Sequence, residues 1–390
     1  MSNPLKIVWT RFGVVPGKVA GGAGTKRETA RLLKPRCDFY IHTHKGIYDW
    51  YREFGIDVKP YRLLTGGKGY GSIPFLLMCM IKTVFSKTSG HMDIVASRNH
   101  DLFDLFPALL LKFRTKGKLA VYIQSRLLPE WGSRSFITWL LVFIERAIGL
   151  ILTRIWADAI VLNNHAPKRT LLKFGFPRDQ MFVVYPGVFA KDIARIAPTG
   201  DVLYDGIFFG RVTKSKGIFD LLDAWREVST RIPGAKLAVV GDYETGEGEE
   251  IQQFIQRYGL GKVIEVQGPV SGDERYRRLK QAKIFIQPSY VEQWSISLGE
   301  AVACLLPAVV YDIPTTRSTW GETISYARLG DRTDLAKKII DALENKQTAQ
   351  TRAQEAHNLV QYFTWERFRD SELDAMESIH AGRVSQESIV

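Results

Sequence analysis

Two glutamates with seven residues between them, Glu292 and Glu300, are the side chains of this sequence best placed to do chemistry. The apolar run 283–287 before them predicts a short buried strand, and the run after Ser297 predicts a helix that ends before Pro307. One carboxylate therefore follows a strand and the other lies in the first turns of a helix, where open α/β sheets bind ligands. Such carboxylates accept hydrogen bonds from sugar and ribose hydroxyls, while a helix start binds phosphate. A glutamate pair also arises by chance, which leaves a pair without function as the alternative.

Serines mark the start of this predicted helix. In the segment Trp294-Ser295-Ile296-Ser297, either Ser295 or Ser297 can cap the helix by accepting a backbone N–H. The run 307–311 predicts a further strand. Strand, helix and strand together form a βαβ unit around the two glutamates.

Two cations follow another predicted strand, 205–209. Arg211 can pair with two phosphate oxygens at once, and Lys216 supplies a point charge a few residues later. Gly210 and Gly217 keep the backbone clear for a ligand. The pattern predicts a diphosphate clamp, and an exposed basic loop is the alternative.

A glycine-rich turn, 16–25, lies between the first predicted strand and a helix expected to begin near Lys26. Gly21, Gly22 and Gly24 allow backbone N–H groups to approach an anion closely. The spacing is neither the dinucleotide-binding G-x-G-x-x-G nor a phosphate-binding Walker loop. A ligand contact is expected here, with a flexible loop as the alternative.

Metal and nucleophile chemistry have little support in this sequence. No Asp-x-Asp motif and no His or Asp cluster with metal-ligand spacing occurs. His100 follows the predicted strand 93–97, so it lies either in a ligand cleft or in a structural position. No Ser, His and Asp arrangement indicates a triad. We therefore expect no metal ion and no cofactor.

Charge is distributed unevenly along the chain. The 390 residues are enough for two domains, and 45% hydrophobic with 24% charged residues is ordinary for a soluble globular protein. Residues 1–190 hold 28 Lys and Arg against 12 Asp and Glu, a net +16, whereas 191–390 hold 25 against 29, a net −4. The first half therefore suits an anionic partner: nucleic acid, an anionic membrane surface or a phosphorylated acceptor.

Cellular location is indicated by the cysteines and the N-terminus. The three cysteines are scattered, which argues against a disulfide framework and favours a reducing compartment. The chain starts without the plan of a signal peptide. A cytoplasmic location is expected.

One apolar stretch, 136–152, raises the question of a membrane. Adjacent Glu145 and Arg146 interrupt it near its centre, which argues against a spanning helix. Two interpretations stay open: a buried core helix, or a helix on the bilayer surface. In the second, tryptophans lie near the interface and arginines face lipid phosphates: Trp131, Trp139, Trp156, Arg134, Arg146 and Arg154.

Strands and helices alternate from end to end, which is typical of parallel sheets with crossover helices. The predicted strands form two series, separated by a linker over 187–200: 5–10, 37–43, 93–97, 119–123, 159–162 and 181–184, then 205–209, 236–240, 263–267, 283–287 and 308–310. Thr364 is a plausible cap for a terminal helix. The sequence thus predicts two doubly wound domains.

Three segments resemble the GT-B nucleotide-sugar glycosyltransferases, specifically their large retaining family four. Residues 209–218, Phe-Gly-Arg-Val-Thr-Lys-Ser-Lys-Gly-Ile, resemble the family's donor-phosphate segment. Residues 266–292 resemble the stretch that leads to its paired glutamates, and 156–188 resemble its run into the linker. The resemblance covers nearly the whole chain and is strongest over 205–303.

The resemblance implies an α/β fold of two Rossmann-like domains that face each other across a cleft. Residues 1–190, joined by a C-terminal helix over 364–385, would bind the acceptor. Residues 191–363 would bind the nucleotide-sugar donor.

The resemblance also implies residue roles. Arg211 and Lys216 would bind the donor diphosphate, Glu300 the ribose hydroxyls and Glu292 the transferred sugar. The remaining donor contacts would be Gly210, Trp294, Ser295, Ile296 and Ser297. Acceptor or cleft contacts would be Gly21, Gly22, Gly24, Arg98, His100 and Gln124. Arg98 and Gln124 stand where many family members have histidine, and Gln124 cannot carry protons.

The expected function is a retaining, metal-independent glycosyltransferase of hexosyltransferase type, acting at the cytoplasmic membrane face. Its acceptor would be lipid-linked or a glycan, with peripheral contact to an anionic membrane through the first domain and no nucleic acid. The alternative is a catalytically inactive binding or adaptor protein, which Gln124 favours. An epimerase or phosphorylase on the same fold is a minor third hypothesis.

Overall fold

The computed structural model of this protein describes residues 3–12, 21–66, 70, 72–87, 90–128, 136–198, 200–243 and 246–384. The chain divides into two compact units. The first comprises Met1–Tyr185 with Glu366–Val390, and the second comprises Pro186–Trp365.

The first unit alternates strands and helices. Its strands are β1 (Leu5–Thr10), β2 (Cys37–His44), β3 (Lys59–Leu64), β4 (Ile94–Ser97), β5 (Lys118–Ile123), β6 (Ala159–Leu162) and β7 (Met181–Val183). Its helices before the second unit are α1 (Gly21–Leu33), α2 (Lys45–Glu53), α3 (Ile73–Phe85), α4 (Leu102–Thr115), α5 (Phe136–Trp156) and α6 (His165–Lys173). All strand pairs are parallel, in the order β3-β2-β1-β4-β5-β6-β7.

The second unit repeats this plan. Its strands are β8 (Tyr204–Phe209), β9 (Leu237–Val240), β10 (Ile264–Gln267), β11 (Ala282–Gln287), β12 (Ala308–Tyr311) and β13 (Ser325–Ala327). Its helices are α7 (Ala190–Arg195), α8 (Ile218–Arg231), α9 (Glu247–Arg257), α10 (Glu274–Lys280), α11 (Ile296–Ala303), α12 (Pro314–Trp320), α13 (Arg332–Glu344) and α14 (Lys346–Val360). The sheet is again parallel, in the order β10-β9-β8-β11-β12-β13.

The C-terminal helix, α15 (Trp365–Ala381), returns to the first unit. The Tyr122 hydroxyl donates to the Glu372 carboxylate at 2.5 Å, which joins β5 to α15. Residues three or four apart form the buried face of the helix: Phe368, Glu372, Ala375, Met376 and Ile379. The expected return of this helix is confirmed.

Each sheet reverses its strand order at one place. In the first unit the order runs outward from β1 and β4, and in the second from β8 and β11. Such a switch point leaves a crevice at the carboxyl ends of the two strands, where α/β proteins bind ligands. The expected fold class, two doubly wound α/β units, is confirmed. The switch point of the second sheet lies between β8 and β11, the strands that precede Arg211 and Glu292.

Two differences from the sequence prediction concern helix starts. Helix α1 begins at Gly21 and not near Lys26, so Gly21, Gly22 and Gly24 lie in its first turns instead of in a loop before it. Residues 16–20 of the glycine-rich run lie outside the described residues. The expected linker 187–200 contains helix α7, because Ile193 is buried and anchors that segment to the second unit.

Helix α5 is exposed over most of its length. Among the described residues, α5 is the one helix that is long enough and apolar enough to cross a membrane, judged by length and composition alone. Its mean hydropathy is 1.9. Its buried residues are Gly149, Leu150 and Thr153. A Cβ at Gly149 would lie 2.1 Å from the His100 carbonyl oxygen, so glycine lets the helix backbone contact the unit here. The core-helix interpretation is therefore wrong. Trp131 and Arg134 lie outside the described residues.

Candidate functional site

The candidate site lies at the carboxyl ends of β8 and β11, which pair with each other at the switch point of the second sheet. The chain leaves β8 through Gly210 and Arg211 and forms a 3-10 turn at Lys214–Lys216 before α8. It leaves β11 through a loop that carries Glu292 and then enters α11. The segments that carry the cations and the carboxylates thus follow two neighbouring strands at the same edge of the sheet.

The two loops touch at Gly217. This glycine has φ of 70°, and a Cβ on it would lie 1.9 Å from the carbonyl oxygen of Pro288. The Tyr290 N–H donates to the Ser215 carbonyl at 3.0 Å and joins the loops beside that contact. Only glycine combines this backbone conformation with so close an approach.

Lys216 and Glu292 form an ion pair at this junction. The Lys216 ammonium donates to Glu292 Oε1, and the two side chains are 16% and 12% exposed. The Glu292 carbonyl oxygen also accepts from Thr315 Oγ1 at 2.6 Å, which holds the loop against α12. A cation and a carboxylate in contact can receive a phosphate and a hydroxyl group side by side.

A hydrogen-bonded network centred on the buried Asp220 supports the Glu292 loop. Asp220, in the first turn of α8, accepts hydrogen bonds from the hydroxyls of Tyr290 and Tyr311 and from Arg332 Nε, the last two at 2.9 and 2.7 Å. Burial, and then the hydrogen bond to Asp220, raises the pKa of Tyr290 to about 12. Tyr290 therefore stays a neutral donor that ties this loop to α8.

The start of α11 is capped by Ser295. Its Oγ accepts the Leu298 N–H at 3.2 Å and donates to Gln287 Oε1 at 2.6 Å, so the cap also joins the helix to the end of β11. The prediction that a serine caps this helix is confirmed for Ser295.

The other residues of the expected donor set lie around this helix start. A Cβ built on Gly210, which has φ of 151°, would lie 3.6 Å from Ser297 Oγ, so the β8 loop reaches the first turn of α11. Ile296 and Ser297 are half-buried. Trp294 stacks on the ring of Trp320, with 6.0 Å between the ring centroids. Arg211 is exposed on the first loop.

Glu300 lies one turn further along α11 and is 4% exposed. Arg275 Nη2 forms an ion pair with its Oε1 at 3.1 Å, and the Tyr276 hydroxyl donates to the same oxygen at 3.4 Å. Burial raises the pKa of Glu300 to about 7, while the Arg275 charge and the Tyr276 hydrogen bond act in the opposite direction. Its charge near neutral pH therefore depends on its neighbours.

Arg275, Tyr276 and Asp220 are site residues that the sequence analysis missed. Arg275 and Tyr276 come from α10, far from the glutamates in sequence, and only the tertiary fold brings them to Glu300. Asp220 follows Gly217 closely in the sequence. An acidic residue in the first turn of a helix suits the helix dipole by itself, which hides its second role.

The expected acceptor residues belong to the first unit, and two of them are buried. The Arg98 guanidinium lies over the rings of Trp9 and Tyr122, 4.9 and 4.0 Å from their centroids. His100 is fully buried with Nε2 hydrogen-bonded to the Leu127 carbonyl at 3.0 Å, and burial lowers its pKa to about 4. The buried Nδ1 of His100 has no hydrogen-bond partner among the described residues, so both interpretations of this histidine stay predictions. Gln124 at the end of β5 is half-buried.

The comparison with protein families concerns the region that carries the site. Residues 204–359 match the sequence model of the family described as glycosyl transferases group 1. We call residues 204–359 the group 1 region. The group 1 region contains the whole second sheet and every expected donor residue.

Individual relatives of the chain are distant. The chain is 23% identical over 243 residues to an uncharacterised glycosyltransferase of Methanocaldococcus jannaschii. This alignment covers 56% of this chain and 65% of the relative. It is 24% identical over 228 residues to a D-inositol 3-phosphate glycosyltransferase of Paenarthrobacter aurescens, 54% of this chain and 55% of the relative. The matches thus cover less than two thirds of either relative.

Solved structures resemble the chain over nearly its full length. The Anabaena HepE protein in complex with UDP and glucose has a TM-score of 0.72 at 18% identity, covering 96% of this chain and all of that one. Sucrose-phosphate synthase from Thermosynechococcus elongatus has a TM-score of 0.75 at 17% identity, covering 97% and 100%. At these identities the likeness shows the fold, which is GT-B.

Within the described residues no group of three or more His, Cys, Asp or Glu side chains is arranged to hold a metal ion. The site of the group 1 region contains Lys216 in contact with Glu292, and Arg211 on the same loop. Arginine and lysine side chains of this kind pair with phosphate oxygens.

Proposed function

We propose that this protein is a retaining glycosyltransferase that moves a hexose from a nucleoside-diphosphate sugar to an acceptor hydroxyl. The contact between Lys216 and Glu292, at the switch point of a group 1 region, is the observation that carries the proposal. The ammonium would bind the diphosphate and the carboxylate the hydroxyls of the sugar. Glu300 would bind the ribose, one helical turn from the capped start of α11.

In the proposed reaction the bond from the anomeric carbon to the diphosphate breaks and a bond to the acceptor oxygen forms on the same face. The acceptor proton passes to the departing phosphate oxygen, so no protein base is required. Lys216 and Arg211 would stabilise the negative charge that develops on the leaving diphosphate. Fixed cations at that position act as electrostatic catalysts, and no metal ion is needed.

We propose a lipid-linked or glycan acceptor, bound by the first unit at the cytoplasmic membrane face. Support comes from the net charge of +16 in residues 1–190 and from the exposed apolar helix α5. The charge favours an anionic acceptor or surface. The membrane replaces nucleic acid as the proposed anionic partner because of that apolar helix.

Two variants test the donor site. Without ligand, Glu292 neutralises Lys216, so Glu292→Gln should leave uridine diphosphate binding unchanged or tighter while abolishing sugar transfer. Lys216→Met should weaken diphosphate binding by about tenfold to a hundredfold, which corresponds to about 1.4–2.8 kcal/mol. Calorimetric titration measures binding, and a panel of radiolabelled sugar nucleotides with a membrane extract measures transfer. UDP is the first nucleotide to test because the structurally similar HepE protein binds it.

Lys214→Met is the matched control, since Lys214 lies in the same turn and pairs with Glu250. It should bind uridine diphosphate like the parent. If Lys216→Met and Lys214→Met bind every nucleoside diphosphate tested as the parent does, the donor-site assignment fails. Diphosphate binding that depends on Lys216, without transfer from any donor, would favour the inactive adaptor that Gln124 suggests.

A further inference from the structure

Helix α3 presents a stripe of exposed apolar side chains on the first unit. Ile73, Leu77, Ile81 and Phe85 recur every four residues, and Phe85 is 81% exposed. This spacing places them on one side of a helix. Single exposed apolar residues are ordinary, but a continuous stripe marks an interaction surface.

Helix α5 carries a second stripe. Ile137, Leu141, Ile144, Ile148, Ile151 and Ile155 are all exposed and recur at intervals of three and four. Both helices pack against α4. The two stripes therefore belong to two helices that pack against the same third helix, α4.

The charged side chains of α5 are bonded to the protein and do not interrupt its stripe. Glu145 accepts the Leu102 N–H, and Arg146 donates to the Arg126 carbonyl at 2.5 Å. A helix that crossed a bilayer would be surrounded by lipid at its centre. In α5 the centre is instead fixed to the unit, which suits a helix lying on a surface.

The C-terminal ends of α3, α4 and α5 meet. Arg114 of α4 donates to the carbonyls of Thr83 and Ser86 at the end of α3, both at 3.0 Å. Phe113 of α4 makes an edge contact with Trp156 of α5, with 5.2 Å between the ring centroids. Phe113 is 57% exposed, so this end of the three helices presents aromatic rings to the surroundings.

Cations surround the same end. Lys87 follows α3 and Lys116 caps α4, and both side chains are exposed. The nearby carboxylate of Asp158 already accepts from Lys112 at 2.7 Å. The local charge is therefore positive, in keeping with the excess of cations in residues 1–190.

We propose that this apolar face, formed by the stripes of α3 and α5 together with Phe113 and Trp156, rests in the surface of an anionic lipid bilayer. Interfacial helices bury an apolar side in the headgroup and acyl boundary, aromatic rings favour that depth, and nearby lysines attract anionic lipids. A second copy of the chain would bring like charges together at Lys87 and Lys116, which favours the bilayer as occupant. The proposal concerns lipid binding and does not depend on sugar transfer.

The test is co-sedimentation of the full chain with phosphatidylcholine vesicles, with and without phosphatidylglycerol. The parent should bind the anionic vesicles, and less strongly at high salt. Phe85→Ser/Phe113→Ser should weaken binding at least about tenfold, because two large apolar side chains no longer enter the bilayer. Lys87→Gln/Lys116→Gln should weaken it about fivefold for each cation removed.

Val202→Ser/Leu329→Ser is the matched control, since both residues are exposed apolar side chains of the second unit. It should bind vesicles like the parent. All the substituted residues are exposed, so unchanged circular dichroism and melting are expected. A parent that ignores anionic vesicles, or a Phe85→Ser/Phe113→Ser variant that binds as well as the parent, would overturn the proposal. The proposal would also be overturned if the parent bound no vesicles and instead formed a dimer in sedimentation velocity that the Phe85→Ser/Phe113→Ser substitutions dissociate.

Discussion

Glu300 is a buried carboxyl group whose charge depends on one neighbouring cation. Burial raises its pKa to about 7, and the Arg275 guanidinium favours the ionised form. Only the ionised carboxylate offers both oxygens as acceptors for ribose hydroxyls. Under the proposed function, Arg275 therefore acts through Glu300 as a positioning residue for the nucleotide.

Replacing Arg275 with methionine should make nucleotide binding more dependent on pH. Loss of the cation raises the Glu300 pKa above about 7, so the carboxyl group is protonated over more of the neutral range. Each unit of that rise corresponds to about tenfold in the equilibrium. We expect uridine diphosphate affinity to fall about tenfold at neutral pH and to recover in alkaline solution, as measured by calorimetric titration across that range.

Arg277→Met is the control for this prediction, because Arg277 lies on the same helix and contacts Glu274 instead. Arg275→Lys should retain most of the parental profile, and Glu300→Gln should remove the pH dependence. Identical pH profiles for Arg275→Met, Arg277→Met and the parent would show that Arg275 does not control the ionisation of a nucleotide contact.

At the scale of elements, the turn between β8 and α8 is the part that brings Lys216 to Glu292. Its conformation depends on Gly217, whose positive φ and contact with Pro288 exclude a side chain. Gly217→Ala should separate the two loops. We expect a loss of about 1–3 kcal/mol in the free energy of unfolding and a matching loss of diphosphate affinity, measured by denaturant unfolding and titration.

A substitution at Gly234 distinguishes the two expected effects at Gly217, backbone strain from the positive φ and the steric contact with Pro288. It also has a positive φ, 83°, but nothing lies within 4 Å of a Cβ built there. Gly234→Ala should therefore cost only the backbone strain, about 1–2 kcal/mol, with parental diphosphate affinity. If the two variants bind diphosphate equally well, the close approach at Gly217 does not position Lys216.

The strands that the sequence predicted correctly are mostly the buried ones, because burial requires a run of apolar residues. Central parallel strands are covered on both faces, so β9 is a continuous apolar run. The edge strand β3 was missed because Lys59, Pro60 and Arg62 interrupt its pattern and it is half-exposed. The location of the candidate site at the ends of β8 and β11 was predictable from the sequence. The partners of Glu300 were not, because α10 meets α11 only in the folded chain.

The exposed side of a helix was the least predictable feature. The apolar composition of α5 is compatible with a buried core helix and with an exposed one. Its spacing shows a stripe but not what covers it. The thirteen residues of α3 form a run too short to suggest a membrane on their own. Only the folded chain shows that both helices pack on α4 and that their C-terminal ends meet.

At the scale of the whole molecule, the chain passes between the two units twice, after Tyr185 and after Trp365. Each unit has its own buried core, and α15 completes the first although it follows the second in sequence. Proteins with separate cores often unfold in more than one step. A substitution in α15 should therefore weaken the first unit and leave the second unchanged.

Two buried isoleucines provide a reciprocal test of this division. Ile379 lies in α15 and Ile339 in α13, and both are buried. Each change to alanine should cost about 2–5 kcal/mol, and each kcal/mol lowers the melting temperature of a domain of this size by about 2–4 °C. In calorimetry, Ile379→Ala should lower one transition and Ile339→Ala the other. Under the proposed function, uridine diphosphate should raise only the transition that Ile339→Ala lowers, because it binds the second unit. A single transition that both variants lower equally would contradict the independence of the two cores.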